Sequence, residues 1–545
     1  MPALPPETQV LVVGGGPTGL SAAAELSLHG IESVIVEPRT YVSHTNPRAK
    51  LTNVRTMEHF RRWGVADRIR DAANLPIGWS QEVVFCTSLL GDELARFDNV
   101  FGMKPSESYA EPAQQVPQFL TEDTLRDVVE EDPNCTLATG WRLDSLEQDD
   151  GGVTATVEST VERMSVRRGE QREIRAEYLL GCDGVRSTVR EEIGSAYEGD
   201  ASPRQNLGVV FRAPHLAERH GLGPAVHYWT LTPHVQGFMG RLDLEDRWWL
   251  IAVGVADLDA IDPESLVYEM VGDEFEMTVL TTDPWSAKML LVDDARAGRV
   301  FLVGDAAHLN PPWGGHGYNT GVADAVDIGW KLGAVLNGWA DPALLRTYET
   351  ERRGVHEEVI DVSTENMRSS PADLVSGHVD AADEIATADY EALAADIYEK
   401  KKLEFHSLGM VLGYRYDDSP VVVDDDAEAP PLSRTEHVQT SYPGTRLPHS
   451  WLDREADRSL YDELGPGLTL LRLDAGVSVD GLRAAAADRG IPLSVVTVAG
   501  DRLSHDYEAP LLLVRPDQHV AWRGSSDPPD PHSIFETISG ATLGT

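Results

Sequence analysis

The stretch QVLVVGGGPTGLSAAAELSLHGIESVIVEPR, residues 9–39, decides how the chain begins to fold. Val10 to Val13 form an apolar run that predicts a buried strand. A glycine turn follows, Pro17 to about His29 predicts a helix, and Ser33 to Val36 predicts a second strand. Together they make a βαβ unit. Gly14, Gly16 and Gly19 fall as G-x-G-x-x-G where strand passes into helix. There, bare backbone N–H groups can approach a pyrophosphate at the positive end of the helix. Glu37, at the end of the second strand, is placed to accept from a ribose hydroxyl, which suits FAD or NAD rather than NADP.

A second glycine-rich turn lies almost three hundred positions away, in GDAAHLNPPWGGHGYNT, residues 304–320. The preceding GRVFLVGD predicts a strand from Val300 to Val303. The following residues place Val322, Val326, Gly329 and Leu336 at helical spacing, with Gly338 as the stop. Two such turns on one sheet are what an FAD needs at its two ends. Asp305 is the candidate for a ribityl hydroxyl, and the N–H groups around Gly317 to Asn319 for the flavin pyrimidine edge. A helix start there stabilises negative charge on reduced flavin by roughly 0.3 to 1 kcal/mol, or ~2 kcal/mol when partly buried.

Composition bounds the rest. The 545 residues suggest about three domains. Lys and Arg number 46 against 89 Asp and Glu, a net charge of -43, which disfavours nucleic acid and anionic membranes as partners. Cys86, Cys135 and Cys182 match neither a disulfide framework nor a metal site, so no metal is expected and a reducing, cytoplasmic setting is. The opening MPALPPETQ lacks the pattern of a secretory leader, and no run approaches the ~18 apolar residues of a membrane span.

A third segment, YLLGCDGVRSTVR, joins a short strand to Gly181, Cys182, Asp183 and Gly184, then Arg186, Ser187 and Arg190. With G-x-G-x-x-G before it and G-D-A-A-H-x-x-P-P-x-x-G-x-G-x-N after it, the chain resembles the class A flavoprotein aromatic hydroxylases, typified by para-hydroxybenzoate and phenol hydroxylases. NPRAKLTNVRTMEHFRRWGV (46–65), LPHSWL and LYDELGPGLTLL look most like the 2,4-dichlorophenol 6-monooxygenase-like members.

That resemblance implies an α/β fold in which a Rossmann-like FAD-binding domain (1–75, 119–200 and 291–340) is interleaved with a β-sheet substrate domain (76–118 and 201–290). A helical segment (341–415), an acidic linker (416–435) and a thioredoxin-like domain (436–545) would follow. No cysteine lies beyond Cys182, so this last domain cannot run dithiol exchange.

The activity implied is FAD-dependent hydroxylation of a phenol- or pyridinol-like aromatic through a flavin C4a-hydroperoxide, with O2 as oxidant and NADPH or NADH as transient reductant. A homo-oligomer is left open. Arg48 and Gln118 would contact FAD, Asp183 and Gly184 would serve both FAD and the nicotinamide, and Pro311 and Pro312 would line the reactive edge of the flavin. The implied cofactor set also takes in Pro17, Thr18, Arg39, Gly304, Gly315 and Tyr318.

Lys50, counted back from Arg55 and Thr56, falls where phenol-type relatives place a polar residue by the flavin and substrate. Lys50 and Pro312 are the catalytic candidates. A phenol of pKa about 10 is about 4 kcal/mol from its phenolate at pH 7, which a nearby cation or base can offset. Substrate-lining candidates are His227, Trp229 and Phe238 on the roofing sheet, and Trp313 and His316 in the second glycine turn. His308 is read as scaffold of that turn. The W-x-W-x-I-P of flavin halogenases is absent, and a non-enzymatic descendant would be expected to lose the G-D-A-A-H loop, which is whole. Baeyer-Villiger oxidation of a polycyclic aromatic ketone remains the alternative chemistry.

Overall fold

The computed structural model describes residues 4–162, 166–232, 234–258, 260–369, 390–498 and 507–544. The opening run forms strand β1 (Glu7–Val13), helix α1 (Pro17–Leu28) and strand β2 (Ser33–Glu37). From Val10 to Val13 every residue of β1 is buried, the continuous apolar pattern of a parallel strand covered on both faces.

After β3 (Leu51–Thr52), α2 (Val54–Arg62) and α3 (Ala66–Ala72), the chain contributes β4 (Val83–Cys86), β5 (Glu93–Phe97) and β6 (Gln114–Gln115). Helix α4 (Gln118–Glu131) returns it to the first sheet through β7 (Cys135–Thr139), β8 (Trp141–Asp149), β9 (Gly152–Ser159) and β10 (Gln171–Gly181). With β16 (Arg296–Ala297) and β17 (Val300–Leu302), the first sheet has the order β16-β17-β10-β1-β2-β7, and β9 runs antiparallel to β10. β17, β10, β1, β2 and β7 are mutually parallel. All three glycine motifs therefore emerge at the same end of neighbouring strands.

The second sheet follows α5 (Thr188–Glu192). It is built from β11 (Tyr197–Arg212), β12 (His227–Leu231), β13 (Gln236–Arg241), β14 (Arg247–Val255), β15 (Thr278–Val292) and β18 (His308–Leu309), with α6 (Leu216–Arg219) and α7 (Pro263–Val271) between strands. Its order is β18-β15-β11-β14-β13-β12-β4-β5. Register alternates the faces: Tyr228, Met239, Trp248 and Leu250 pack in one buried cluster, while Trp229 and Trp249 point to the other side with Phe238.

Helices α8 (Gly317–Leu336) and α9 (Thr347–Arg368) follow the second turn. In the charged α9, Glu351, Arg352 and His356 are buried. The beginning of the acidic helix expected before Phe405 lies outside the described residues, and its later part spans Tyr390–Phe405. The Asp-rich stretch read as a solvated linker is tacked down: Val421 is fully buried, Ser419 bonds to Glu351, and Asp425 pairs with Arg523. The C-terminal sheet has the order β22-β21-β23-β24, from β21 (Leu468–Arg472), β22 (Leu493–Thr497), β23 (Leu511–Val514) and β24 (Val520–Gly524), after a small β19–β20 pair (Trp451–Asp453, Arg458–Ser459). Helices Asp480–Asp488 and Pro531–Ile538 pack on this thioredoxin-like sheet. No helix among the described residues is long and apolar enough to cross a membrane.

Candidate active site

Two helix starts frame the site, and neither is capped by a side chain. Gly16 precedes α1 and His316 precedes α8 without a side-chain hydrogen bond, whereas Asn53, Ser187 and Asp262 cap their helices. The first-turn amides of Thr18 and Gly19 in α1, and of Gly317, Tyr318 and Asn319 in α8, have no acceptor among the described residues. A Cβ added at Gly16 would meet nothing within 4 Å, so bare backbone faces open space there. Gly14 has φ +107°, and any side chain would run into the Cys182 carbonyl. The two turns touch: at Gly304, φ +64°, a Cβ would come within 2.8 Å of Thr18 Oγ1.

Around these starts lie charged groups of opposite sign. Arg48 is exposed and takes the left-handed conformation, φ +49°, uncommon for a long side chain. The Gln118 N–H holds that bend by bonding the carbonyls on either side, Pro47 at 3.1 Å and Ala49 at 2.8 Å. Asp305 carries a carboxylate with no hydrogen bond among the described residues, raised by its crowded setting against the lowering influence of His308 and Arg48. A free cation, a free carboxylate and two uncapped helix starts fit the phosphates, hydroxyls and flavin edge of FAD.

Other predicted residues serve the protein itself. Glu37 accepts from Gly15 N–H at 2.8 Å and from Arg39 Nε at 2.7 Å, so the carboxylate assigned to a ribose also pins the glycine turn. Arg39 is further tied to Glu122 at 2.9 Å. The Asp183 carboxylate accepts from Ser187 Oγ at 2.5 Å and Val189 N–H at 3.1 Å, local bonds at the start of α5; Gly184 beside it, φ +78°, faces open space. The Asn319 side chain bonds Leu51 O, Gly315 O and Asn53 N–H, and the Tyr318 hydroxyl bonds Thr52 at 2.5 Å. These two side chains stitch α8 to β3, and their backbone amides are left without an acceptor among the described residues. Beneath the loop, the Asp324 carboxylate is met by His308 at 3.0 Å, His356 at 2.8 Å and Arg352 at 2.7 Å. His308, Asp324 and His356 lie close enough for one ion, but their direct contacts and the Arg352 guanidinium already satisfy the carboxylate. Burial raises the Asp324 carboxyl, yet His356 and Arg352 hold it well below the usual range.

The substrate side is the aromatic face of the second sheet. Phe238 lies 4.5 Å from Trp229, 5.5 Å from His227 and 5.6 Å from Trp249, ring centre to ring centre. Lys50, half-buried, places Nζ 4.0 Å above the Trp249 ring and 3.0 Å from the Arg48 carbonyl. Burial pushes its ammonium down to about 7. His227 is pushed down to about 3 by burial, then by Lys50 and Lys401, and its Nε2 has no hydrogen-bond partner among the described residues. Pro312 is exposed next to the buried Pro311, and its carbonyl accepts from Gly315 N–H at 3.1 Å. Trp313 is buried against Trp285, 6.1 Å between ring centres, and His316 is buried beside Gly314 with Nε2 unpartnered. Trp249 was missing from the sequence-based set; strict alternation in RWWLIA, referred to Phe238, would have separated it from Trp248.

A family model for the FAD binding domain matches residues 7–363, and one for the C-terminal domain of aromatic-ring hydroxylases matches residues 440–544. The chain is an FAD-dependent aromatic-ring hydroxylase. This hydroxylase is 32% identical to the 2,4-dichlorophenol 6-monooxygenase of Delftia acidovorans over 95% of each chain. It is 31% identical to the tetracenomycin B2 monooxygenase-dioxygenase of Streptomyces olivaceus, over 98% of this chain and 99% of that one. The solved structure of the rebeccamycin biosynthetic enzyme RebC with reduced flavin matches it with a TM-score of 0.88 at 33% identity, covering 99% of the hydroxylase and 100% of that chain.

Proposed function

We propose that the hydroxylase seats FAD between the starts of α1 and α8 and inserts one oxygen atom into a phenol- or pyridinol-like ring lying against Phe238 and Trp249. NAD(P)H, O2, a proton and the aromatic are consumed; the hydroxylated ring, NAD(P)+ and water are released. Bound FAD supplies the redox chemistry, taking two electrons from the nicotinamide and activating O2. The chain's own part is to bind, orient, exclude water and move a proton.

The observation that carries this reading is Lys50, suspended over Trp249 beside the unpartnered His227. With its ammonium pushed down to about 7, a neutral amine is accessible near neutrality and can take the phenol proton. The resulting ammonium then faces a phenolate. A pair at about 4 Å is worth about 4 kcal/mol at an effective dielectric near 20, matching the ~3 pKa units that separate a phenol from pH 7. Phe238, Trp229 and Trp249 supply flat apolar contact and His227 a neutral polar edge. Arg48 and Asp305 would hold the cofactor, and Pro312 would border its reactive edge.

The test is stimulation of NADPH and NADH oxidation by a panel of phenols, with hydrogen peroxide release and products from labelled O2 recorded. A ring-hydroxylated product carrying one labelled oxygen is expected. An ester or lactone oxygen inserted next to a carbonyl would overturn ring hydroxylation, and indifference to every phenol would overturn the substrate class.

A further inference from the structure

The turn joining β23 to β24 is buried from end to end. Arg515, Asp517, Gln518 and His519 are each at most 2% exposed and Pro516 is buried with them, although connections between strands ordinarily run over the surface. Gln518 takes a left-handed conformation, φ +67°, which a glutamine adopts only when its surroundings impose it.

Three helices of the FAD-binding part grip this tip. Arg515 reaches the two oxygens of Glu351 on α9 at 2.5 and 2.8 Å, and Asp517 at 2.6 Å. Glu351 also receives Lys331 Nζ of α8 at 2.6 Å, and Lys331 pairs with Asp327 at 2.7 Å. Burial pushes the Glu351 carboxyl up, but Arg515 and Lys331 outweigh it and keep the carboxylate ionised. From the other side, Arg55 of α2 donates to Gln518 Oε1 at 2.5 Å and to the Asp517 carbonyl at 2.6 Å.

The same helices meet again at the flavin end. Asn53, two residues before Arg55, caps α2 and gives its N–H to Asn319 Oδ1 at 2.9 Å, while Asn319 Nδ2 holds Leu51 O at 2.9 Å and Gly315 O at 2.7 Å. Asn319 lies two turns before Asp327 on α8. Any shift between α2 and α8 would therefore move the Gly315–Asn319 segment whose free amides face the cofactor.

We propose that the tip 515–519 is a positioning element for FAD: the cysteine-free C-terminal domain inserts it to set α2 against α8, and so gives the second glycine turn its binding shape. Arg55 and Gln518 are its positioning residues; neither touches the cofactor.

The experiment compares Gln518→Gly, which suits the left-handed backbone but deletes the acceptor, with Arg55→Lys, which keeps the charge but loses the forked grip. Leu513→Ala, in the fully buried neighbouring strand, is the control for plain destabilisation. The FAD dissociation constant of each apoprotein is read by flavin fluorescence quenching, and its melting temperature alongside. Both tip variants should weaken FAD binding about tenfold at a loss of melting temperature no larger than that of the control, which should bind FAD as the parent does. Affinity that follows melting temperature equally in all three, or that is unchanged in both tip variants, overturns the proposal. If Gln518→Gly does not fold, Arg55→Lys decides alone, and none of these readings depends on turnover.

Discussion

Thr18 and Gly321 are pressed together where α1 meets α8: a Cβ at position 321 would stand 2.6 Å from Thr18 Oγ1 and 3.2 Å from the Gly304 Cα. The first helix of the chain and the helix of the second glycine turn thus share one contact that admits no methyl group. Gly321→Ala should cost about 1–3 kcal/mol through overpacking. Adding Thr18→Ala should recover most of that loss, because alanine within a helix is worth roughly 0.5–1 kcal/mol over glycine. Urea unfolding of the two single variants and the double measures the coupling; a Gly321→Ala protein as stable as the parent refutes the contact.

Lys50 should appear in the pH profile. Its ammonium titrates near 7 in the folded protein, so kcat/KM for phenols should rise as pH increases through about 7, when the amine becomes neutral. Lys50→Met should lower that constant on the order of 10²-fold and erase the inflection. Steady-state rates from pH 6 to 9 check both, and an unchanged profile in the variant removes Lys50 from the proton transfer.

Acid should unfold the protein through its histidines. Burial pushes His227 to about 3 and His316, His356 and His449 to about 4, each below the unfolded value near 6.5. Between those limits the unfolded chain binds more protons, so stability falls as pH drops from about 6.5 toward 4. Each histidine contributes up to ~1.4 kcal/mol per pH unit. The urea midpoint at pH 5 should lie clearly below that at pH 7; equal midpoints would contradict neutral, buried imidazoles.

Asp324→Asn should be among the most damaging single changes away from the ligands. It leaves the Arg352 guanidinium buried without its counter-charge and weakens the hold on His308 and His356, at a cost of ~3–5 kcal/mol. Chemical denaturation of the apoprotein reads this directly, and a loss under ~1 kcal/mol would show that the carboxylate is dispensable.

How far the sequence could be read depended on how local the controlling physics is. Val10–Val13 and Gly14, Gly16 and Gly19 announce a covered strand and a tight glycine turn into a helix within a dozen positions, and the structure builds both. Glu351, Arg352 and His356 look the same in a sequence whether they meet water or one another. Their partners stand at positions 324, 331 and 515, so only folding reveals that α9 carries a buried charge network. The tip at 515–519 escaped for the same reason: Arg55 and Gln518 are 463 positions apart. Trp249 was missed because only β-strand alternation, fixed by pairing with the Phe238 strand, tells its face from that of Trp248.

Trp248 and Trp249 occupy consecutive places on one strand, the first sealed among Tyr228, Met239 and Leu250 and the second beneath Lys50. A one-residue slip of β14 would exchange their faces, sending Trp248 to the side of Phe238 and Lys50 and Trp249 among Tyr228, Met239 and Leu250. Divergence of the aromatic face beside Lys50 must therefore proceed by replacing side chains, with strand length held constant.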